Sequence, residues 1–290
     1  MTLFAEVFDD RACELGEGPF AAGGQSELVS WVDITGQKFL TRDLISGEIS
    51  EEMLEEDVGF AIPTDLGGRV FGVNSGPILK SRSGAITRLF SRGSDDAPTR
   101  WNDGKVGPDG SLFVGTMAYS MEEGTANLFH FDPINSSLTT LIEGTTISNG
   151  MDWSPITESF YFIDSRRQSV DEISLEANQV KSRRPVIVID PSLGAPDGMT
   201  IDSEGGFWIG IWGAGKVLHF DSAFVLQEEV SLPTKFITSC AFAGSTLNQL
   251  VITSAHNNVF DTPEAGMTFI VSVDVAGKRP YLFPEESHSL

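Results

Sequence analysis

MTIDSEGGFWIGIW, residues 199–212, is a short apolar strand, a polar turn at Glu204-Gly205-Gly206 and a second run of β-formers. Three other stretches follow the same plan: VGPDGSLFVGTM (106–117), MDWSPITESFYFIDS (151–165) and FAGSTLNQLVITSA (242–255). Aligning the chain on itself extends the plan to six segments. They open near Gly18, Gly59, Gly104, Gly150, Gly198 and Cys240, at intervals of 41, 45, 46, 48 and 42 residues. Further strand-like runs follow inside the segments: KFLTRDL (38–44), GAITRLF (84–90), ANLFHFD (126–132), SVDEISL (169–175) and KVLHFDS (216–222). Helical periodicity is nearly absent, with Ile49 to Asp57 the one short candidate. Six similar units of four strands at this period predict an all-β chain, a six-bladed β-propeller with four antiparallel strands per blade. Such a ring is a single domain over residues 1–290. A sandwich or barrel would not repeat so evenly. Leu3 to Val7 is expected to close the ring as the outer strand of the last blade.

Composition narrows the partners. With 290 residues, 40% of them hydrophobic, the chain can bury a large core. A formal charge of −22 argues against nucleic acid, which needs clustered Lys and Arg to replace counterions. No run of 18 apolar residues is present, so no membrane span is expected. Met1 to Arg11 is acidic and lacks the apolar stretch of a signal peptide, and Cys13 and Cys240 form no CxxC pair. A cytoplasmic protein with two free thiols is the expectation. Oligomeric state leaves no readable mark. The chain has no GxSxG elbow and no HExxH motif. The run Gly210 to Lys216 matches most of a P-loop, but Val217 stands where the required Ser or Thr would be.

In a propeller the innermost strand of each blade lines a central channel, and equivalent positions converge on it. Glu17, Asn102, Asn149 and Asp197 each lie one or two residues before a glycine that opens a segment. In the second and sixth segments the same phase carries Val58 and Ser239. Two carboxylates and two amide oxygens form an all-oxygen set suited to one divalent cation: Ca²⁺, Mn²⁺, Mg²⁺ or Fe(II), with Zn²⁺ admissible at a catalytic site. Taken singly, Asn-Gly and Asp-Gly are turn dipeptides. The phase shared by four segments is what points to a metal.

The segments LGEGP (15–19), RWNDGKVGPDGSLFVGTM (100–117), ISNGMDWS (147–154), FYFIDS (160–165) and PDGMTIDSEGGFWIGIWGAGKV (196–217) resemble the signatures of the regucalcin–gluconolactonase (senescence-marker-protein-like) family of sugar-acid lactonases. The resemblance is collinear from about residue 14 to 275. It implies one divalent cation at a channel mouth, held by Glu17, Asn149 and Asp197, with Asp197 also the candidate catalytic base. It implies substrate contacts from Arg100 and Asn102, with Asp103 beside them. Some family members carry a substrate-contacting glutamate shortly after the GTM segment. Here Ser120 stands at that position and Glu122 and Glu123 follow, so the sugar is left open. The implied reaction is metal-dependent hydrolysis of a sugar-acid lactone, such as glucono-, xylono- or arabinonolactone, to the open-chain acid. Two alternatives stand beside it: hydrolysis of another ester or phosphoester at the same axial metal, and a calcium-binding propeller without turnover.

Overall fold

The structure, a computed structural model, describes residues 1–23, 27–91, 98–257 and 262–285. Six sheets follow one another along the chain, each stepping outward from one inner strand. The inner strands are Gly16–Ala21, Val58–Pro63, Thr99–Val106, Ser148–Trp153, Ala195–Ile201 and Ile237–Ala243. Each packs against the next around a closed circle, which makes the chain a six-bladed propeller. Among the described residues the one helical element is the 3-10 turn Ser165–Arg167, and no helix is long and apolar enough to cross a membrane.

Position in the blade explains the hydrophobic pattern. Second strands lie between neighbouring blades and are buried on both faces, so Leu112–Ala118 (LFVGTMA) and Phe160–Asp164 (FYFID) read as almost unbroken apolar runs. Outer strands face water, and Ser137–Thr145 is largely exposed. Ile49–Met53, whose spacing allowed a short helix, is also an outer strand. It pairs along its whole length with Lys38–Asp43, whereas an isolated helix so short would not repay its nucleation. Aromatic side chains fill the space between blades. Trp101 meets Phe90 and Phe129 edge-on, and Trp153 stacks on Phe160, so both tryptophans belong to the core. Each such burial contributes roughly 1.5–3 kcal/mol. Cys13 and Cys240 are buried free thiols.

The ring closes at two places. Glu6–Asp9 pairs antiparallel with Thr268–Ser272 and completes blade six. The preceding residues, Thr2–Phe4, turn aside to pair in parallel with Leu226–Ser231 as a fifth strand of blade five. The closing strand thus lies a little later than Leu3 to Val7, and the N-terminal arm staples two blades rather than one. At the other terminus a strap leaves blade six and runs beneath the ring. Its Ala276 carbonyl accepts from Ser203 N–H and its Gly277 N–H donates to Leu247. It ends on blade two, where Phe283 exchanges hydrogen bonds with Pro63 and Asp65 and is fully buried.

Candidate functional site

Every inner strand interrupts its ladder once, at the same level of the channel. Pairing stops at Glu17, Val58, Trp101, Ser148, Pro196 and Ile237 and resumes at Phe20, Ala61, Gly104, Met151, Met199 and Cys240. Such bulges re-aim side chains out of the strand's alternation. Counted back two residues from resumption, the re-aimed residues of blades three to five are Asn102, Asn149 and Asp197. Glu17 is the last paired residue before the bulge of blade one. In blade two the residue equivalent to Glu17, the last one paired before the bulge, is Val58, whereas in blade six the count used for blades three to five gives Thr238 rather than Ser239. The distance from the last paired residue to the segment opening varies from one to three residues, so the ladder rather than the glycine sets the phase.

The Asn149-Gly150 and Asp197-Gly198 pairs are not turns but lie inside strands. A Cβ on Gly150 would sit 2.6 Å from the Met199 nitrogen and 2.7 Å from the Asp197 carbonyl oxygen; one on Gly198 would collide with the Ser239 side chain. Glycine therefore lets adjacent inner strands close to backbone contact, which brings the preceding side chains over one cavity.

That cavity, of about 260 Å³, is lined by Glu17, Arg100, Asn102, Asn149 and Asp197. Four blades contribute them, and all five are buried. Asp103 is not among them. It lines a smaller cavity of about 40 Å³, together with Lys105, Asp152 and the strap residue Lys278. Asn102 and Asp103 are the two unpaired residues of the blade-three bulge, and they line different cavities. Ser120, Glu122 and Glu123 are exposed, and the residue of that loop lining the site cavity is Met121.

Hydrogen bonds sort the residues by task. Arg100 Nη1 donates to Asn102 Oδ1 at 2.7 Å and to the Trp101 carbonyl at 3.1 Å. Asn102 Nδ2 donates to the Ser148 carbonyl at 2.9 Å. Both ends of the Asn102 amide are committed, and it ties Arg100 to blade four. Asn149 Nδ2 donates to Ser165 Oγ at 3.1 Å and to the Asp197 carboxylate. The other end of this amide, Asn149 Oδ1, is buried and has no partner. Glu17 Oε2 accepts from Gly18 N–H at 3.0 Å.

The electrostatics are unbalanced. Burial pushes the Glu17 carboxyl well above the usual carboxylate range, and the charges of Asp197 and Asp103 push it further, against Gly18 N–H and Arg100. Burial raises Asp197 in the same way, with Asn149 and Arg100 opposing and Asp103 adding. Desolvated carboxylates without a full complement of partners are costly. A hard cation taking lone pairs from Glu17, Asn149 Oδ1 and Asp197 would satisfy all three, so the donor set fits such an ion. Among the described residues no three His, Cys, Asp or Glu side chains gather in this way. The set contains two acids, and its third donor is an amide.

Three residues that the motifs did not single out belong to the same cavity: Ser165, which holds Asn149 and opens the 3-10 turn, Arg166 within that turn, and Gln168, which caps it. Gln168 Oε1 is buried without a partner, and Arg166 is exposed at the rim. The available signal was slight: Ser165 is the last residue of the FYFIDS segment.

The sequence model of the SMP-30/Gluconolactonase/LRE-like region matches residues 15–256. The chain is 33% identical to regucalcin of Danio rerio over 281 residues, 93% of this chain and 95% of that one. It is 29% identical to a putative sugar lactone lactonase, YvrE, of Bacillus subtilis, over 94% of this chain and 96% of that one. Its fold is similar to the crystal structure of a calcium-binding protein, regucalcin, from Agrobacterium tumefaciens, with a TM-score of 0.90 at 26% identity over 98% of each chain. The six blades, the shared bulge level and the match over most of the length agree: this chain belongs to the SMP-30/gluconolactonase/LRE-like family.

Proposed function

We propose that this protein is a divalent-metal-dependent lactonase that hydrolyses a sugar-acid lactone to the open-chain acid. One observation carries the reading. Two buried carboxylates pushed up in pKa and an orphaned amide oxygen face one cavity, with a tethered arginine above them. The similarity to a putative sugar lactone lactonase supports the same chemistry.

Opening a lactone adds water to the ester carbonyl, breaks the ring C–O bond and delivers a proton to the departing ring oxygen. A divalent cation held by Glu17, Asn149 and Asp197 would supply a Lewis acid for the carbonyl oxygen and the charge that develops on it. Asp197 takes the proton of the attacking water and returns it to the ring oxygen. Arg100, fixed from two sides through Asn102 and Trp101, orients the ester. Glu17 and Asn149 hold position and move no proton. Asp103, in the cavity beyond, acts on the donors through its charge and not by touching substrate.

The test is proton release from a panel of aldonolactones, with chelator-stripped protein and protein restored with single divalent cations, each against a no-enzyme control. Metal-restored turnover is expected on one or a few lactones. Tight cation binding without acceleration of any lactone would overturn the proposal in favour of a calcium-binding propeller or hydrolysis of another ester.

A further inference from the structure

The walls of the site cavity differ sharply from its floor. Along an extended strand alternate residues share a face, so the residue two before each inward donor stands one layer nearer the solvent on the same side. For Glu17, Asn102, Asn149 and Asp197 these residues are Leu15, Arg100, Ile147 and Ala195, and all four line the cavity. One is a cation and three are apolar. Met117, Met121 and Trp212 add to the same wall from second strands and their turns.

This wall is held by the backbone. Bridges between blades join Leu15 to Ala255, Met117 to Ile147 and Trp212 to Phe236. The Trp212 and Phe236 rings also pack with centroids 4.8 Å apart. Arg100 stands on blade three beside its strand partner Met117, and Leu15, Ile147, Ala195 and Trp212 line the cavity from blades one, four and five, so one buried cation is set in an otherwise apolar wall. Unused polar capacity is sparse, with Gln168 Oε1 inside and Arg166 at the rim.

A fully hydroxylated aldonolactone presents hydroxyls in every direction. Those turned toward Leu15, Ile147, Ala195 and Trp212 would give up hydrogen bonds to water and find none in return. A methyl or longer alkyl group there loses nothing and gains buried apolar area. We infer that the preferred substrate is an amphiphilic lactone, hydroxylated on the edge that faces Arg100 and alkyl-substituted or deoxygenated on the edge that faces Leu15, Ile147, Ala195 and Trp212. The inference rests on the lactonase reading and names the substrate class of that same site.

The experiment uses matched pairs of aldonolactones of identical stereochemistry that differ only in a terminal CH₂OH or CH₃, together with simple alkyl-substituted γ- and δ-lactones. The metal-restored protein should turn over the methyl member of a pair with kcat/KM about 10- to 100-fold higher. The corresponding lactams, which resist opening, should show the same order of Kd by calorimetry. Ile147→Thr, which exchanges an ethyl group for a hydroxyl on the wall, should bring the ratio toward one. Met121→Ser should do so more weakly, and its exposure guards against a folding defect. Turnover in which the CH₂OH members match or exceed their partners overturns the inference and leaves the lactonase standing. No turnover of any lactone with any cation overturns the lactonase reading; equal lactam affinities in that case remove the apolar preference as well.

Discussion

The two ends of the channel bury acids in opposite ways. Toward the strap, Asp152 meets Lys278 Nζ at 2.6 Å and Lys105 Nζ at 3.4 Å. It also accepts from the N–H groups of Trp153 and Ile201, each at 2.9 Å. Burial would raise its pKa, yet the two ammonium groups and these bonds hold it below the usual carboxylate range. Toward the open mouth, Glu17 and Asp197 share one arginine that is already bonded to Asn102 and the Trp101 carbonyl, and both are pushed up. Asn149 and Asp152 lie on the same six-residue strand, so blade four serves both ends. The difference is the supply of positive charge. Where the chain brings its own, the buried acid is part of the scaffold; where it brings too little, the acids and the orphaned amide form a donor set that a divalent cation would complete under the proposed function.

Removing one acid from the mouth should give the largest effect. Asp197→Asn is expected to lower kcat/KM by about 10³-fold or more, losing a base and a donor together. The melting temperature of the chelator-stripped variant should stay level or rise, because the substitution deletes a buried charge without a full set of partners. Retained turnover with an unchanged pH profile would remove Asp197 from the base role.

The strap end should respond in stability instead. Phe283→Ala removes the side chain that anchors the strap to blade two and is expected to cost about 4 kcal/mol, measured by denaturant titration. Asp152→Asn should cost about 3 kcal/mol, because it leaves Lys278 without its ion-pair partner and Lys105 with the Asp103 carboxyl alone. Its kcat/KM should stay within about threefold of wild type, as expected for a change outside the site that alters rate only through small shifts. A large loss of turnover with little loss of stability would mean that the two ends are one electrostatic unit.

Acid titration sharpens the same contrast. The folded pKa of Asp152 lies below its ordinary value of 3.8. Its contribution to stability is therefore fully present above pH 3.8 and is lost as pH falls through the lower folded value. The stability curves of wild type and Asp152→Asn should run parallel near neutrality and converge below pH 3.8. Curves that remain parallel into the acid range would assign the Asp152 effect to packing.

The fold was largely legible in the chain because a repeat reports itself: six similar segments need no knowledge of their contacts. The strap was not. VAGKRPYLFPE (275–285) has neither strand alternation nor a partner nearby in sequence, and its place depends on Phe283 finding a core more than two hundred residues upstream. Within the site, Glu17, Asn149 and Asp197 could be read from a shared phase, since the bulges that aim them recur in every blade. Adjacency in sequence groups Asp103 with Arg100 and Asn102. The bulge sends it to the strap side, and a bulge leaves no mark in the sequence that tells its two residues apart. Ser165 and Gln168 left almost no trace, because a turn after a second strand has no period to betray which way its side chains face.

The smallest expected effect tests how firmly the mouth is built. Ser165 Oγ is one of two acceptors for Asn149 Nδ2, the other being the Asp197 carboxylate. Ser165→Ala leaves the donors in place but frees the amide to rotate away from the orientation that keeps Oδ1 unpartnered beside the two acids. The loss of one hydrogen bond, about 1 kcal/mol, corresponds to a cation Kd raised about fivefold, measurable by calorimetry with Mn²⁺ or Ca²⁺. Because the defect lies in holding the ion, kcat/KM should fall at limiting cation and recover when the cation is saturating. A deficit that persists at saturation would instead put Ser165 in contact with the substrate, and the floor of the site would then include a hydroxyl donor that the three-oxygen description leaves out.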